Sequence, residues 1–212
     1  YLQTDGYSGY DEAGSFPGIT HVGCLAHVRR KFIDAQKLGS KEASIFISMI
    51  GELYEKEAEL RKSYKEGLLD TASFLSLQRK EQAPKLKAMH SWLMAHAGVS
   101  PPTLAFGKAV SYALSQWEKI THYLDHELLT PDTNRVENAI RPFVIGRKNW
   151  LFSNTPLGAH ASASIYSIIE TAKANGHEPY HYLCYLFNEL PKAKSLEGKL
   201  QLLPYRIGPT DY

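Results

Sequence analysis

Asp132-Thr133-Asn134-Arg135-Val136-Glu137-Asn138-Ala139-Ile140-Arg141-Pro142, continued by Phe143-Val144-Ile145-Gly146-Arg147-Lys148-Asn149-Trp150, is the stretch on which the reading of this chain turns. A carboxylate, Glu137, sits among the cations Arg135, Arg141, Arg147 and Lys148. The apolar residues Val136, Ala139, Ile140 and Phe143 recur three and four apart, which predicts a short amphipathic helix with a charged face. Asp132 or Thr133 can cap its start, and Pro142 is expected to disturb its end. Turned to solvent, such a face is only a hydrated surface. Turned into a cleft, it places a carboxylate among cations that suit a polyanion.

The 212 residues are 43% hydrophobic and 22% charged, enough to bury a core in one or two domains. No apolar run approaches the roughly 18 to 20 residues of a membrane span, and the N-terminus lacks the basic-then-apolar layout of a signal peptide. A cytoplasmic protein with no membrane partner is expected. Cys24 and Cys184 do not make a disulfide framework, so both are expected as thiols. A net charge of +2 and a pI near 8.4 neither demand nor exclude nucleic acid. Because the chain starts at Tyr1 inside an expected strand, it reads as part of a longer protein.

Outward from the quoted stretch, residues 1 to 7 alternate like a short strand and meet a turn at Asp5-Gly6. A loop with a short helical turn around Tyr10 to Ala13 leads to a second strand, Ile19 to Leu25. A helix from Ala26 to Ala35 follows, with Val28, Phe32 and Ala35 on one stripe and Arg29, Arg30 and Lys31 on another. Residues 40 to 127 then read as almost pure helix. One segment begins at Phe46, Ile50 and Leu53, a second covers Leu77 to His96, and Pro101-Pro102 break the chain. Phe106, Val110, Ala113, Trp117, Ile120 and Leu124, at steps of four and three, predict one further helix of about five turns. The aromatics of this bundle are read as core. Asn149 to Ser153 is expected as a strand or extended link, and 159 to 174 as a helix whose core stripe is Ile165, Ile168, Ile169 and Ala172. A last helix spans Tyr180 to Leu190, and the tail from Ser195 to Tyr212 is expected to wrap the surface.

Three constellations could carry chemistry. Asp5, at a strand end, and Glu137, on a helix, are the oxygen donors that hard divalent cations require, although Asp-Gly is equally an ordinary turn. Cys24 and His27 could ligate zinc with His21, His181 and Cys184. The Cys24-to-His27 motif straddles a strand-to-helix junction, so zinc is not expected and a supporting role beside an active site is preferred. Arg29, Arg30 and Lys31, with Arg135, Arg141, Arg147 and Lys148, suit a backbone of phosphates or form a solvated basic face. P-loop, GxGxxG, GxSxG and HExxH motifs do not occur.

Five ordered blocks resemble the transposases of the insertion-sequence 66 family. They are Leu2-Gln3-Thr4-Asp5-Gly6-Tyr7, the run from Gly23 to Phe32 containing Cys24-Leu25-Ala26-His27, Asn134 to Pro142, Gly146 to Phe152, and Ile168 to Gly176. The resemblance implies an α/β, mostly helical chain. Residues 1–38 and 129–176 would belong to a truncated ribonuclease-H-like catalytic core. Residues 39–128 would form a helical insertion domain, and 177–212 a small helical C-terminal region. It further implies an Asp-Asp-Glu enzyme that cuts and joins insertion-sequence ends with magnesium, for which manganese can substitute. Asp5 corresponds to the second acid and Glu137 to the third, both as metal ligands. Cys24, His27 and Asn134 would support the site, while Arg29, Arg30, Lys31, Arg135, Arg141, Arg147 and Lys148 would contact DNA. The family's first acid lies upstream of the second and has no counterpart here, so this stretch alone is expected to be inactive. An open sheet edge favours self-association, and a bacterial, nucleoid-associated location is implied. Two other functions remain open: a non-catalytic DNA-binding or assembly module, and a metal-dependent nuclease of the same fold.

Overall fold

The computed structural model describes residues 1–101 and 103–209. Pro102, half of the expected Pro-Pro break, and residues 210–212 of the tail lie outside the described residues. β1 (Leu2–Gln3) and β2 (His21–Val22) pair in parallel, with Leu2 opposite His21 and Gln3 opposite Val22. Both strands are shorter than the alternation suggested. Gly6 takes φ +83° just beyond β1, a left-handed conformation that ends the extended run. A parallel pair needs a crossover, and here it contains a 3₁₀ turn (Ser8–Tyr10) and α1 (Asp11–Gly14), where a helical turn was expected.

The crossover is pinned by polar contacts. Thr4 Oγ1 lies 2.8 Å from His21 Nε2, His21 Nδ1 is 4.0 Å from Asp11, and Lys119 donates to Asp11 at 2.6 Å. Burial, then the Lys119 charge, push the His21 imidazole below its ordinary value of 6.5, outweighing the opposing pull of Asp11. The unfolded chain therefore binds a proton on His21 at a pH where the folded chain does not. Stability is full above about pH 6.5 and falls as the pH drops below it. Thermal midpoints measured between pH 7 and 5 are expected to decline in the native protein and to decline less steeply in a His21→Gln variant; equal slopes would exclude His21 as the source.

Helices build the rest of this region. α2 (Leu25–Lys37) buries Leu25, Val28, Phe32 and Ala35. α3 (Lys41–Lys65) is capped by Ser40, which accepts from the Ala43 N–H, and buries Ala43, Phe46, Ile50, Leu53, Glu57 and Leu60. α4 (Thr71–His96), capped by Asp70, starts earlier than the apolar spacing implied because Phe74, Gln78 and Gln82 extend its buried stripe. Phe32, Phe46, Trp92 and Phe106 form one aromatic cluster, with Phe32 and Phe46 centred 4.3 Å apart and Phe46 stacked on Trp92 at 5.2 Å. These aromatics are core.

The five-turn helix expected through Leu124 is broken instead into α5 (Ala105–Ser115), α6 (Trp117–Thr121) and a 3₁₀ turn (His122–Asp125). Two hydroxyls compete for helical carbonyls, Ser115 Oγ for Tyr112 O and Thr121 Oγ1 for Glu118 O, while Gly23 N–H takes Lys119 O at 2.8 Å. The apolar stripe survives the break: Phe106, Val110, Ala113, Ile120 and Leu124 remain buried.

One carboxylate lies inside this bundle. Glu57 is 3% exposed and accepts from Arg61 Nε, from Gln78 Nε2 at 2.8 Å and from Gln82 Nε2 at 3.1 Å. Arg61 also donates to the carbonyls of Glu127 (2.9 Å) and Leu129, so the pair ties α3 to the segment entering the quoted stretch. Burial, then the Glu57 charge, hold the neighbouring Tyr123 hydroxyl far above the usual phenol range.

The chain divides into two compact units, residues 1–135 and 136–212, and the division falls in the first turn of α7 (Asn134–Trp150). Contrary to expectation, α7 is long and runs through Pro142, and Asn149 and Trp150 are helical. A proline removes only one N–H donor and can be carried within a helix where other bonds hold it. α7 ends at Leu151, which takes φ 62° and donates to Arg147 O, while Arg147 Nε returns a bond to Leu151 O at 3.0 Å.

α8 (Pro156–Ala174) is capped by Thr155, and α9 (Pro179–Glu189) by Glu178. The core stripe read for α8 holds at its C-terminal end, where Ala172 is buried and Ile168 packs against the second core, and fails at Ile165, which is 47% exposed; on α7, Val136 and Ile140 are 58% and 51% exposed. The reason is that the second core is small, with Ala172, Tyr182, Leu186 and Leu202 at its centre, and it reaches only the C-terminal end of α8. The tail is anchored more firmly than a surface wrap. It forms α10 (Leu196–Leu200) and a 3₁₀ turn (Pro204–Arg206), and Tyr182 Oη donates to Leu202 O at 2.7 Å.

Candidate functional site

Asp5 follows β1 by two residues, and Cys24 follows β2 by two. Because the strands are parallel and in register, both leave the sheet at the same end, the carboxyl end where ligands bind in open α/β sheets. Asp5 is exposed, its Oδ1 accepts from Tyr7 N–H at 3.0 Å, and its carbonyl accepts from Tyr112 Oη at 3.3 Å. The two readings of Asp5-Gly6 are thus compatible. The dipeptide is a turn, and it holds an exposed carboxylate at a strand end.

Cys24 opens α2, and its buried sulfur accepts from Thr133 N–H at 3.4 Å and Thr133 Oγ1 at 3.3 Å, with His27 Nδ1 3.2 Å away. Leu25 N–H donates to Pro131 O at 2.8 Å, and Gln3 Nε2 donates to Thr130 O at 2.6 Å. Residues 130–133 are thereby laced to the ends of both strands. Asp132 Oδ1 accepts from Asn134 N–H at 2.9 Å in an Asx turn at the entry to α7, and Thr133 gives two donors to the thiol. Sequence reasoning missed Gln3, Thr130 and Thr133 as the residues that fasten this segment. Their signal was weak, since each is a polar residue with many local alternatives. His21, offered by the sequence as a zinc ligand, has its Nε2 engaged by Thr4.

Arg29, Arg30 and Lys31 are exposed on α2. Arg29 and Arg30 line a cavity of about 450 Å³ with Ala26, Ile33, Gly51, Tyr54 and Asn134. Lys31 leaves that wall, its ammonium 5.6 Å from the Tyr112 ring centre. Arg135, Arg141, Arg147 and Lys148 are exposed on α7, and Glu137, in its first turn, is half-buried. At 3.6 residues per turn, Glu137, Arg141 and Lys148 fall within about 40° of one another around the helix. Arg147 is spent on the helix end.

Residues 1–161 match the family model described as Transposase IS66 family, and residues 167–205 match the IS66 C-terminal element. The chain belongs to the IS66 transposase family. Among similar proteins, the uncharacterized protein y4jD of Sinorhizobium fredii (strain NBRC 101917 / NGR234) is 30% identical over 96% of this chain and 40% of its own length. The uncharacterized protein y4qI of the same organism is 30% identical over 98% of this chain and 39% of its own length. The chain therefore spans about 40% of the curated relatives it matches. No solved structure matches.

The IS66 C-terminal element contains the whole centre of the second core, from Ala172 to Leu202, together with the His177 ring bonded to Pro204 O at 2.7 Å. The larger match spans both strands, α2 to α7, and every candidate site residue. Among the described residues no helix is long and apolar enough to cross a membrane.

Proposed function

We propose that this chain contributes the second and third acids of an Asp-Asp-Glu transposase that cuts the ends of an insertion sequence and joins them to target DNA. The observation that carries the reading is the IS66 match over residues 1–161, which includes Asp5 at the carboxyl end of a parallel strand pair. In this reading residues 1–38 and 129–176 belong to a ribonuclease-H-like core, 39–128 are a helical insertion, and 177–212 are a C-terminal appendage.

Asp5 and Glu137 offer hard oxygen donors, which fit magnesium and equally manganese. The Cys24 sulfur, which accepts hydrogen bonds from Thr133, is a soft donor and suits magnesium less well than a carboxylate oxygen does. Bound metal would supply charge stabilisation at the phosphorus under attack. The chain's own residues supply position. Arg29, Arg30, Arg141 and Lys148 hold the phosphate backbone by charge, and Thr133 and His27 fix Cys24, so that the segment entering α7 keeps its place. The active protein assembles with a second copy to hold two DNA ends.

The test uses an intact IS66 transposase containing this chain, duplex DNA bearing its element's ends, and magnesium. Nicking that exposes a 3′ hydroxyl, followed by joining, is expected, and Asp5→Asn is expected to abolish both while leaving DNA retention on a gel unchanged. Full joining by Asp5→Asn would sink the assignment of this acid, and cutting without joining would favour a nuclease.

A further inference from the structure

The cavity between α2 and α3 combines groups that the apolar stripes of those helices do not require. Arg29 and Arg30 come from α2, Tyr54 and Gly51 from α3, and Asn134 from the start of α7. The Tyr54 hydroxyl is buried and makes no hydrogen bond within ordinary distance, which leaves a donor unsatisfied at a cost. Burial, then the nearby Asp132 carboxylate, hold its pKa far above the usual phenol range, so it stays protonated and able to donate. Asp132 is the acid close to Tyr54, and its attraction for that hydroxyl exceeds the opposing pull of Arg29; its Oδ1 accepts from Asn134 N–H, while the cavity lining itself carries the two guanidiniums of Arg29 and Arg30.

We infer that this cavity binds a phosphodiester of the DNA backbone, with Arg29 and Arg30 supplying charge and Tyr54 and Asn134 supplying neutral donors. The inference rests on the DNA-acting reading above and assigns the helical insertion, through Tyr54, a share in holding DNA. An anion of this kind suits a site whose donors outnumber its acceptors, since phosphate oxygens accept and do not donate. A small residue at Gly51 keeps one wall open, because a Cβ there would meet nothing within 4 Å.

The test is fluorescence anisotropy of a labelled short duplex with the intact transposase across a salt series. Tyr54→Phe is expected to weaken binding about tenfold with an unchanged salt slope, since it removes a hydrogen bond to a charged group and no cation. Arg29→Ala is expected to weaken binding and lower the slope by about one. Gly51→Leu, which favours the helix while filling the opening, is expected to weaken binding with the thermal midpoint kept or raised.

If the native protein binds DNA and all three variants bind as it does, the cavity inference falls and the DNA reading stands. If the native protein binds no DNA, the DNA reading falls and takes this one with it. Inorganic phosphate, added at constant ionic strength, separates the sources. Phosphate binding in the cavity, with DNA affinity unchanged in every variant, would make it a free-anion site and overturn the inference.

Discussion

Replacing Glu137 with Gln in the intact IS66 transposase is expected to lower end cleavage by up to about a thousandfold, the scale seen when one group acting only on the transition state is removed. Glutamine keeps the size and helix preference of glutamate, so α7 should form as before. The exchange removes the charge alone. Glu137 also sits in the first turn of α7, where a carboxylate gains from the positive end of the helix, so a loss of about 0.3 to 1 kcal/mol of stability is expected alongside. That small loss cannot account for a thousandfold rate effect. The decisive comparison is single-turnover cleavage with binding measured in parallel. Unchanged cleavage would mean that the third acid lies elsewhere and would favour the non-catalytic assembly module.

Truncating Arg61 to Ala is expected to cost about 3 to 5 kcal/mol, because it leaves the buried Glu57 charge without its cation. For a unit of this size that is a fall in thermal midpoint of roughly 10 °C or more. The same change frees the carbonyls of Glu127 and Leu129, so the segment leading to Thr130 and Thr133 should loosen as well. Exchanging both residues for apolar ones of similar volume, Glu57→Met with Arg61→Met, should recover part of the loss and not all of it. The buried charge is gone, yet the two carbonyl contacts remain unmade and the buried Gln78 and Gln82 amides lose the carboxylate they donate to. Circular dichroism melts of the native protein and the two variants check the order; a double variant less stable than Arg61→Ala would show that losing the acceptor of Gln78 and Gln82 costs more than leaving the Glu57 charge without its cation.

Much of the helical part of the fold was legible in the residues. Val28, Phe32 and Ala35 marked the buried face of α2, and Phe46, Ile50 and Leu53 that of α3, because a helical period places such residues over a shared core whatever lies opposite. The aromatics of the bundle were also read correctly, with Phe46, Phe74 and Phe106 buried. Gln78 and Gln82 were invisible by the same logic. A pattern based on apolarity cannot see two amides buried to serve one carboxylate.

Of the candidate site, the residue types and their order were legible. The geometry that joins Asp5 to Cys24 was not. It depends on a parallel register between two strands of two residues each, too short for alternation to reveal. The break at Gln116 was hidden for a related reason: Ser115 and Thr121 look harmless in a helix until their hydroxyls choose backbone carbonyls over solvent.

The sequence by itself determined the family, the helical periods, and the chemical identity of the acids and cations, all of which follow from side-chain type and local spacing. Only the tertiary structure decided that Thr133 spends its donors on Cys24, that Glu57 and Arg61 tie α3 to the approach of α7, and that Ile140 and Ile165 stay exposed. Those outcomes depend on which distant groups arrive as neighbours. A hydrogen bond or a buried contact is a property of two places in the chain at once.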